Sequence, residues 1–175
     1  MFTTDNILES LAAITQSRGE AVYTPQKNES SYILSLQTCP DRGGAIEDLI
    51  AKRLQKVGVQ TTHLGGSHNS FDLAIVVNGS PIRAECKSSL ANPSTGRYKF
   101  HRIKPGLFDI LFFAFVHPTR GVVVKTASVK DIKKWIVDYL PSGGIDGYNI
   151  GFGKSMEHKS IPTIEWDTDR GFAMA

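Results

Sequence analysis

Residues 71–87 read FDLAIVVNGSPIRAECK. Asn78-Gly79 stands between two apolar runs, and both residues accept positive φ, so the pair predicts a two-residue type I′ hairpin turn. With Val77 and Ser80 flanking that turn, Ile75 faces Ile82, Leu73 faces Ala84, Asp72 faces Glu85 and Phe71 faces Cys86. Phe71, Leu73, Ile75, Ile82, Ala84 and Cys86 then form one apolar face. A slip of one residue would scramble it, which selects the register.

The opposite face ends in Asp72, Glu85 and Lys87. Directly opposed residues place their Cβ atoms about 5 Å apart, and sheets avoid like charges in that position. A divalent cation is the natural compensation. Hard carboxylate oxygens suit Mg²⁺, which takes one or two protein carboxylates together with waters and substrate phosphates. Without a metal, one of the two carboxyls should have a raised pKa. Lys87 lies two residues beyond Glu85 and points to the same side. The plain alternative is a surface patch of ion pairs, Glu85 with Lys87 and Asp72 with Arg83.

Around the hairpin the pattern is α/β, with a mixed central β-sheet flanked by helices. Ile7, Leu8, Leu11 and Ile14 recur at helical spacing between Asp5 and Gly19. Ser31–Leu36 reads as a short strand and Pro40–Gly44 as a turn. Ile46, Leu49, Ile50, Leu54 and Val57 make the apolar stripe of a helix from about Ala45 to Val57, which Gly58 stops. Glu47 stands at the edge of that stripe, where it can reach a sheet packed beneath, while Asp48 points away. Val59–Leu64 reads as a strand and Gly65–Ser70 as a loop. Phe108–Val116 and Gly121–Lys125 read as paired strands, and Ser128 caps a helix running to about Leu140. Residues 91–106 read as a basic connection, 142–153 as a flexible glycine-rich loop, and the remaining tail has no pattern.

The chain has 175 residues and a net charge of +3, which suits one domain spanning 1–175 and permits a polyanionic partner. No apolar run is long enough to cross a membrane. The N-terminus lacks a basic segment leading into an apolar one, and two cysteines do not build a disulfide framework. A cytoplasmic, intracellular location is the expectation. Gly153-Lys154 lacks the earlier glycine of a phosphate-binding P-loop, and no zinc-site spacing occurs among the histidines and cysteines.

Glu47 on a helix, then Asp72 at a strand, then Glu85-Cys86-Lys87 on the next strand, resembles the PD-(D/E)XK nuclease superfamily, with its restriction-endonuclease-like core. The likeness spans about residues 44–137 and includes the apolar strand Phe108–Val116. The proline that precedes the family's aspartate is Phe71 here. The resemblance implies a Mg²⁺-dependent DNA endonuclease, with Mn²⁺ able to substitute. It makes Asp72, Glu85 and the Cys86 carbonyl the metal ligands and Lys87 the catalytic lysine. Glu47 becomes a ligand of a second metal or an outer-shell group. A site-specific enzyme of the homing or restriction type fits the chain length. A Holliday-junction or other structure-specific nuclease, or a non-catalytic nucleic-acid-binding module on the same fold, are the alternatives. A homodimer cutting one strand per subunit is the expected assembly. Arg97, Lys99, Arg102 and Lys104 are expected to neutralise phosphates, with Tyr98 or His101 stacking on bases. The loop His63–Ser70 leads into Asp72 and is a further candidate contact.

Overall fold

The Asn78-Gly79 turn forms as expected, with φ of 50° and 77°. It joins β2 (Leu73–Val77) to β3 (Ser80–Leu90) in the expected register, Leu73 with Ala84, Ile75 with Ile82 and Val77 with Ser80. The computed structural model describes residues 30–65, 70–118, 121–132, 147–153 and 164–167. The helix expected between Asp5 and Gly19 lies outside them.

The remaining elements are α1 (Ser30–Leu36), α2 (Cys39–Lys56), β1 (Gln60–His63), β4 (Tyr98–Ile103), β5 (Ile110–His117), β6 (Gly121–Ser128), β7 (Tyr148–Phe152) and β8 (Ile164–Asp167). Six strands make the central sheet, in the order β1-β2-β3-β5-β6-β8, and β4 pairs with β7 in a separate two-stranded sheet. β3 and β5 run parallel; every other pairing is antiparallel. The central sheet is therefore mixed, as expected. β5 is buried nearly end to end because it is covered on both faces.

One face carries the helices. Ile46, Leu49, Ile50 and Leu54 of α2 pack on Leu73, Ile75, Ala84, Cys86, Phe112 and Val124. The other face carries the β4–β7 ribbon, whose Tyr98, Phe100, Ile103, Ile150 and Phe152 join Leu111, Phe113 and Phe115. Phe100 is the hub of this layer. Its ring centroid lies 4.9 Å from Phe113, 5.0 Å from Phe115 and 5.5 Å from Phe152, all edge-to-face. Cys86 is core, as its alternation implied.

Five local expectations are corrected. Ser31–Leu36 lies in a helix, α1, whose Leu34 is buried in the helix-side core; its apolar spacing is too short to distinguish the two periods. Pro40–Gly44 is the first part of α2, not a turn. Thr38 is its N-cap, and Pro40 sits in the first turn, where a missing N–H costs nothing. Residues 98–103 form β4, and 148–152 within the supposed loop form β7. The tail contributes β8, whose Glu165 is in register with Lys125 of β6. Each of these strands has a partner far away in sequence, so no hairpin signal announces it. Gly147 is required where β7 begins: its φ is 115°, and an added Cβ would come within 2.8 Å of the Ile103 carbonyl oxygen. The Ser128 cap is present, its Oγ accepting the Asp131 N–H at 3.1 Å.

Arg83 is paired, though not with Asp72. Its guanidinium donates to both carboxylate oxygens of Asp109, Nη2 at 2.8 Å and Nε at 3.1 Å, and its backbone N–H donates to Oδ2 at 2.9 Å. Asp109 N–H in turn donates to the Arg83 carbonyl, which ties the start of β5 to β3. These hydrogen bonds hold the Asp109 carboxyl below the usual aspartate range. A depressed folded pKa stabilises above the unfolded value of about 3.9 and ceases to do so as pH falls through the folded one. Asp109→Asn should therefore cost up to about 1 kcal/mol at pH 7, the pair being half exposed. In urea titrations repeated from pH 7 to pH 2, the gap between variant and wild type should close at the acid end.

Candidate active site at the end of the hairpin

The two-stranded register stops at Leu73. The chain bends through Ser70–Asp72, and Phe71 turns away to pack on the ribbon-side cluster with Phe113. It does not lie opposite Cys86 on the apolar face. The bend has a local cause. Asp72 N–H still donates to the Ala84 carbonyl, and its carbonyl accepts the Leu64 N–H, but the next ladder bond is made by a side chain. Asp72 Oδ2 accepts the Cys86 N–H at 2.7 Å, where a strand would offer a carbonyl. The carboxylate is thereby fixed against the backbone of Glu85-Cys86-Lys87.

Glu85 and Lys87 alternate with Ala84 and Cys86, so they leave β3 on the face opposite α2. Lys87 Nζ donates to Glu85 Oε1. Both are substantially covered, the Glu85 side chain 13% and the Lys87 side chain 26% exposed. Burial pushes the Glu85 carboxyl above its ordinary range. The Lys87 ammonium opposes that shift, and the Asp72 and Glu47 carboxylates reinforce it. The raised carboxyl expected of the pair is thus Glu85. Burial likewise pushes the Cys86 thiol up, with Asp72, Glu47 and Glu85 adding to it, so Cys86 offers no thiolate.

Glu47, on α2, is near enough for its charge to act on Glu85 and Cys86. Its Oε2 lies 3.1 Å from Nε2 of His63, the last residue of β1. In the sequence His63 reads as part of the strand Val59–Leu64 and as the start of a loop that could contact substrate. No local signal couples it to Glu47, since the contact exists only once α2 packs on β1. Residues 66–69 of that loop lie outside the described residues.

Among the described residues no group of three or more His, Cys, Asp or Glu side chains is placed to hold a metal ion. Two carboxylates are the most this site could offer a hard divalent cation from its side chains. Asp72 and Glu85 are two partly buried carboxylates close enough for each other's charge to register, which is the protein share that Mg²⁺ takes.

The basic segment is reorganised by β4. Arg97, Lys99, His101, Arg102 and Lys104 are exposed. Tyr98 is 3% exposed and packs edge-to-face on Phe115 at 5.0 Å, so its ring cannot stack on a base. Lys99 N–H donates to Ser89 Oγ at 2.9 Å. Ser89 is two residues along β3 from Lys87 and on the same face, so the basic strand lies beside the carboxylate site.

The fold has a known counterpart. The chain is similar to the bacterial homing endonuclease I-Ssp6803I, with a TM-score of 0.50 at 16% sequence identity, over 78% of this chain and 88% of that one. The likeness lies in the architecture. No family model and no curated protein sequence matches the chain. No helix among the described residues is long and apolar enough to cross a membrane.

Proposed function

We propose that this chain is a metal-dependent DNA endonuclease of the PD-(D/E)XK type, hydrolysing phosphodiester bonds at specific sites. The observation that carries the reading is the Asp72–Cys86 hydrogen bond. It sets one carboxylate beside a second, Glu85, with the Lys87 ammonium on the same strand. The architecture shared with a homing endonuclease supports it.

Asp72, Glu85 and the Cys86 carbonyl would hold Mg²⁺ or Mn²⁺, which when bound supplies a water of lowered pKa and neutralises phosphate charge. Lys87, whose ammonium lies against Glu85, would stand beside that cation. Its ammonium would orient the attacking water and meet the charge that develops on the phosphoryl oxygens. Glu47, held by His63, orients outer-shell water or a second ion. In a homodimer, each subunit cuts one strand.

The test uses supercoiled plasmid with Mg²⁺, beside Lys87→Ala and an EDTA control. Nicking or linearisation by the wild type alone is the expected result. An intact plasmid together with no calorimetric Mg²⁺ binding that Asp72→Ala removes would overturn the reading. Light scattering with and without DNA tests the dimer, and a monomeric mass in both would exclude it.

A further inference from the structure

The β4–β7 ribbon has one face in the core and one in solvent. On the buried face Tyr98, Phe100, Ile150 and Phe152 grip Phe113 and Phe115. On the outer face stand Lys99 and His101 of β4, and Asn149 and Gly151 of β7. His101 Nδ1 lies 3.0 Å from Asn149 Oδ1, which holds the two side chains in a fixed relation across the strands. Gly151 is directly across from Lys99 and covers nothing.

The alternation then breaks. The register shifts between Phe100 and Ile103, and Arg102 adopts φ of 58°, a left-handed conformation rare for arginine. The bulge puts two successive side chains, His101 and Arg102, on the solvent side, while Ile103 returns to the core. A bulge of this kind re-aims a side chain, and it recurs beside functional sites. Residues 97–104 and 147–153 contain four Lys or Arg and no Asp or Glu. The outer surface is thus cationic, rigidly backed and about 17–20 Å long.

We infer that this ribbon is the sequence reader of the enzyme, entering the major groove of double-stranded DNA with Asn149 and His101 toward base edges and Lys99 and Arg102 toward phosphates or guanines. The major groove admits a two-stranded β-ribbon. Asn pairs bidentately with adenine, and Arg or Lys with guanine. The Ser89–Lys99 contact places the ribbon alongside the Glu85–Lys87 strand, so a groove held by one brings the adjoining backbone toward the other. The inference rests on the nuclease reading and adds to it which residues choose the site.

The experiment selects bound duplexes from a pool with a randomised 24-base-pair core, in Ca²⁺ to block cleavage. Wild type, Asn149→Ala, Lys99→Ala, Gly151→Glu and the off-ribbon control Lys52→Ala are compared, and each is assayed for plasmid cleavage in Mg²⁺. Gly151→Glu tests charge with the fold kept: the position is exposed, and an added Cβ would meet only the Tyr98 carbonyl at 3.9 Å.

Wild type and Lys52→Ala should enrich one motif. Asn149→Ala should keep overall affinity within about threefold while one or two motif positions become degenerate, because a bidentate base contact is worth roughly a tenfold discrimination or more. Lys99→Ala should lower the salt slope by about 0.9 if it holds a phosphate. Gly151→Glu should weaken binding by at least roughly tenfold. If wild type binds and cleaves while the three ribbon variants keep its motif and affinity, the ribbon is not the reader, and the nuclease reading stands. Tighter binding to single strands of the same randomised core, measured in parallel, than to duplex also overturns the inference. If wild type neither binds nor cleaves any duplex, the nuclease reading has failed and takes the ribbon's role with it.

Discussion

Lys87→Ala should lower Mg²⁺-dependent plasmid cleavage by about 10²–10³-fold or more, the usual loss when a group that stabilises transition-state charge is removed. Its fold should persist, because the ammonium is a quarter exposed and the covered Glu85 carboxyl, already raised by burial, can take up a proton when its partner is removed. Asp72→Ala and Glu85→Ala should be equally inactive, but they differ in stability. Asp72→Ala removes the acceptor for the Cys86 N–H and leaves a covered donor without a partner, which costs about 1–3 kcal/mol. An inactive Asp72→Ala therefore proves little alone. Asp72→Asn separates the two roles, since an amide oxygen still accepts from Cys86 but carries no charge to hold a cation. Wild-type cleavage by Asp72→Asn or Lys87→Ala, measured as initial nicking rates, would displace the site from the hairpin.

The second large effect is structural. Phe100→Ala should destabilise the protein by about 3–5 kcal/mol, because it deletes a fully buried ring and leaves a cavity among aromatic neighbours. Edge-to-face contacts with Phe113, Phe115 and Phe152 are lost together. For a chain of this length, that is a fall in melting temperature of roughly 6–20 °C. Phe100→Leu, which refills much of the volume, should recover a large part of it. A loss under about 1 kcal/mol for Phe100→Ala in urea titration would mean that the ribbon does not rely on this hub.

The parts of the fold legible in the sequence share a property: their partners are close along the chain. Asn78-Gly79 defines the hairpin because turn chemistry and two alternating runs agree. Phe108–Val116 reads as a buried strand from composition alone. The N-terminal end of α2 was missed because Pro, Asp and two glycines resemble a turn, whereas Thr38 and Pro40 make the start of a helix. β4 carries a real alternation, Tyr98-Lys99-Phe100-His101, but the Arg102 bulge interrupts it. β7 is diluted by glycine, and its partner lies some fifty residues upstream.

Much of the site was legible as well. The alternation along β3 puts Glu85 and Lys87 on one face, whereas the paired register ends at Leu73 and Asp72 is held there by its side chain instead. The bend at Phe71, the substitution of a carboxylate for a ladder carbonyl and the His63–Glu47 contact required the folded chain. Each depends on how elements dock, which no local pattern records. Tyr98 shows the converse, since basic neighbours on either side give it the look of a surface residue while alternation along β4 sends its ring into the core.

The separation between β4 and β7 also has a kinetic consequence. Closing a loop of that length costs conformational entropy before any contact rewards it, so the ribbon should assemble after the β2–β3 and β5–β6 hairpins have paired. It should be the first unit to open again, as a cooperative segment that leaves the central sheet intact. Amide exchange would register this as faster exchange at Lys99 and Ile150 than at Phe112 and Val124. The outer face of the ribbon would then move as one piece with the ribbon's own aromatic rings that back it.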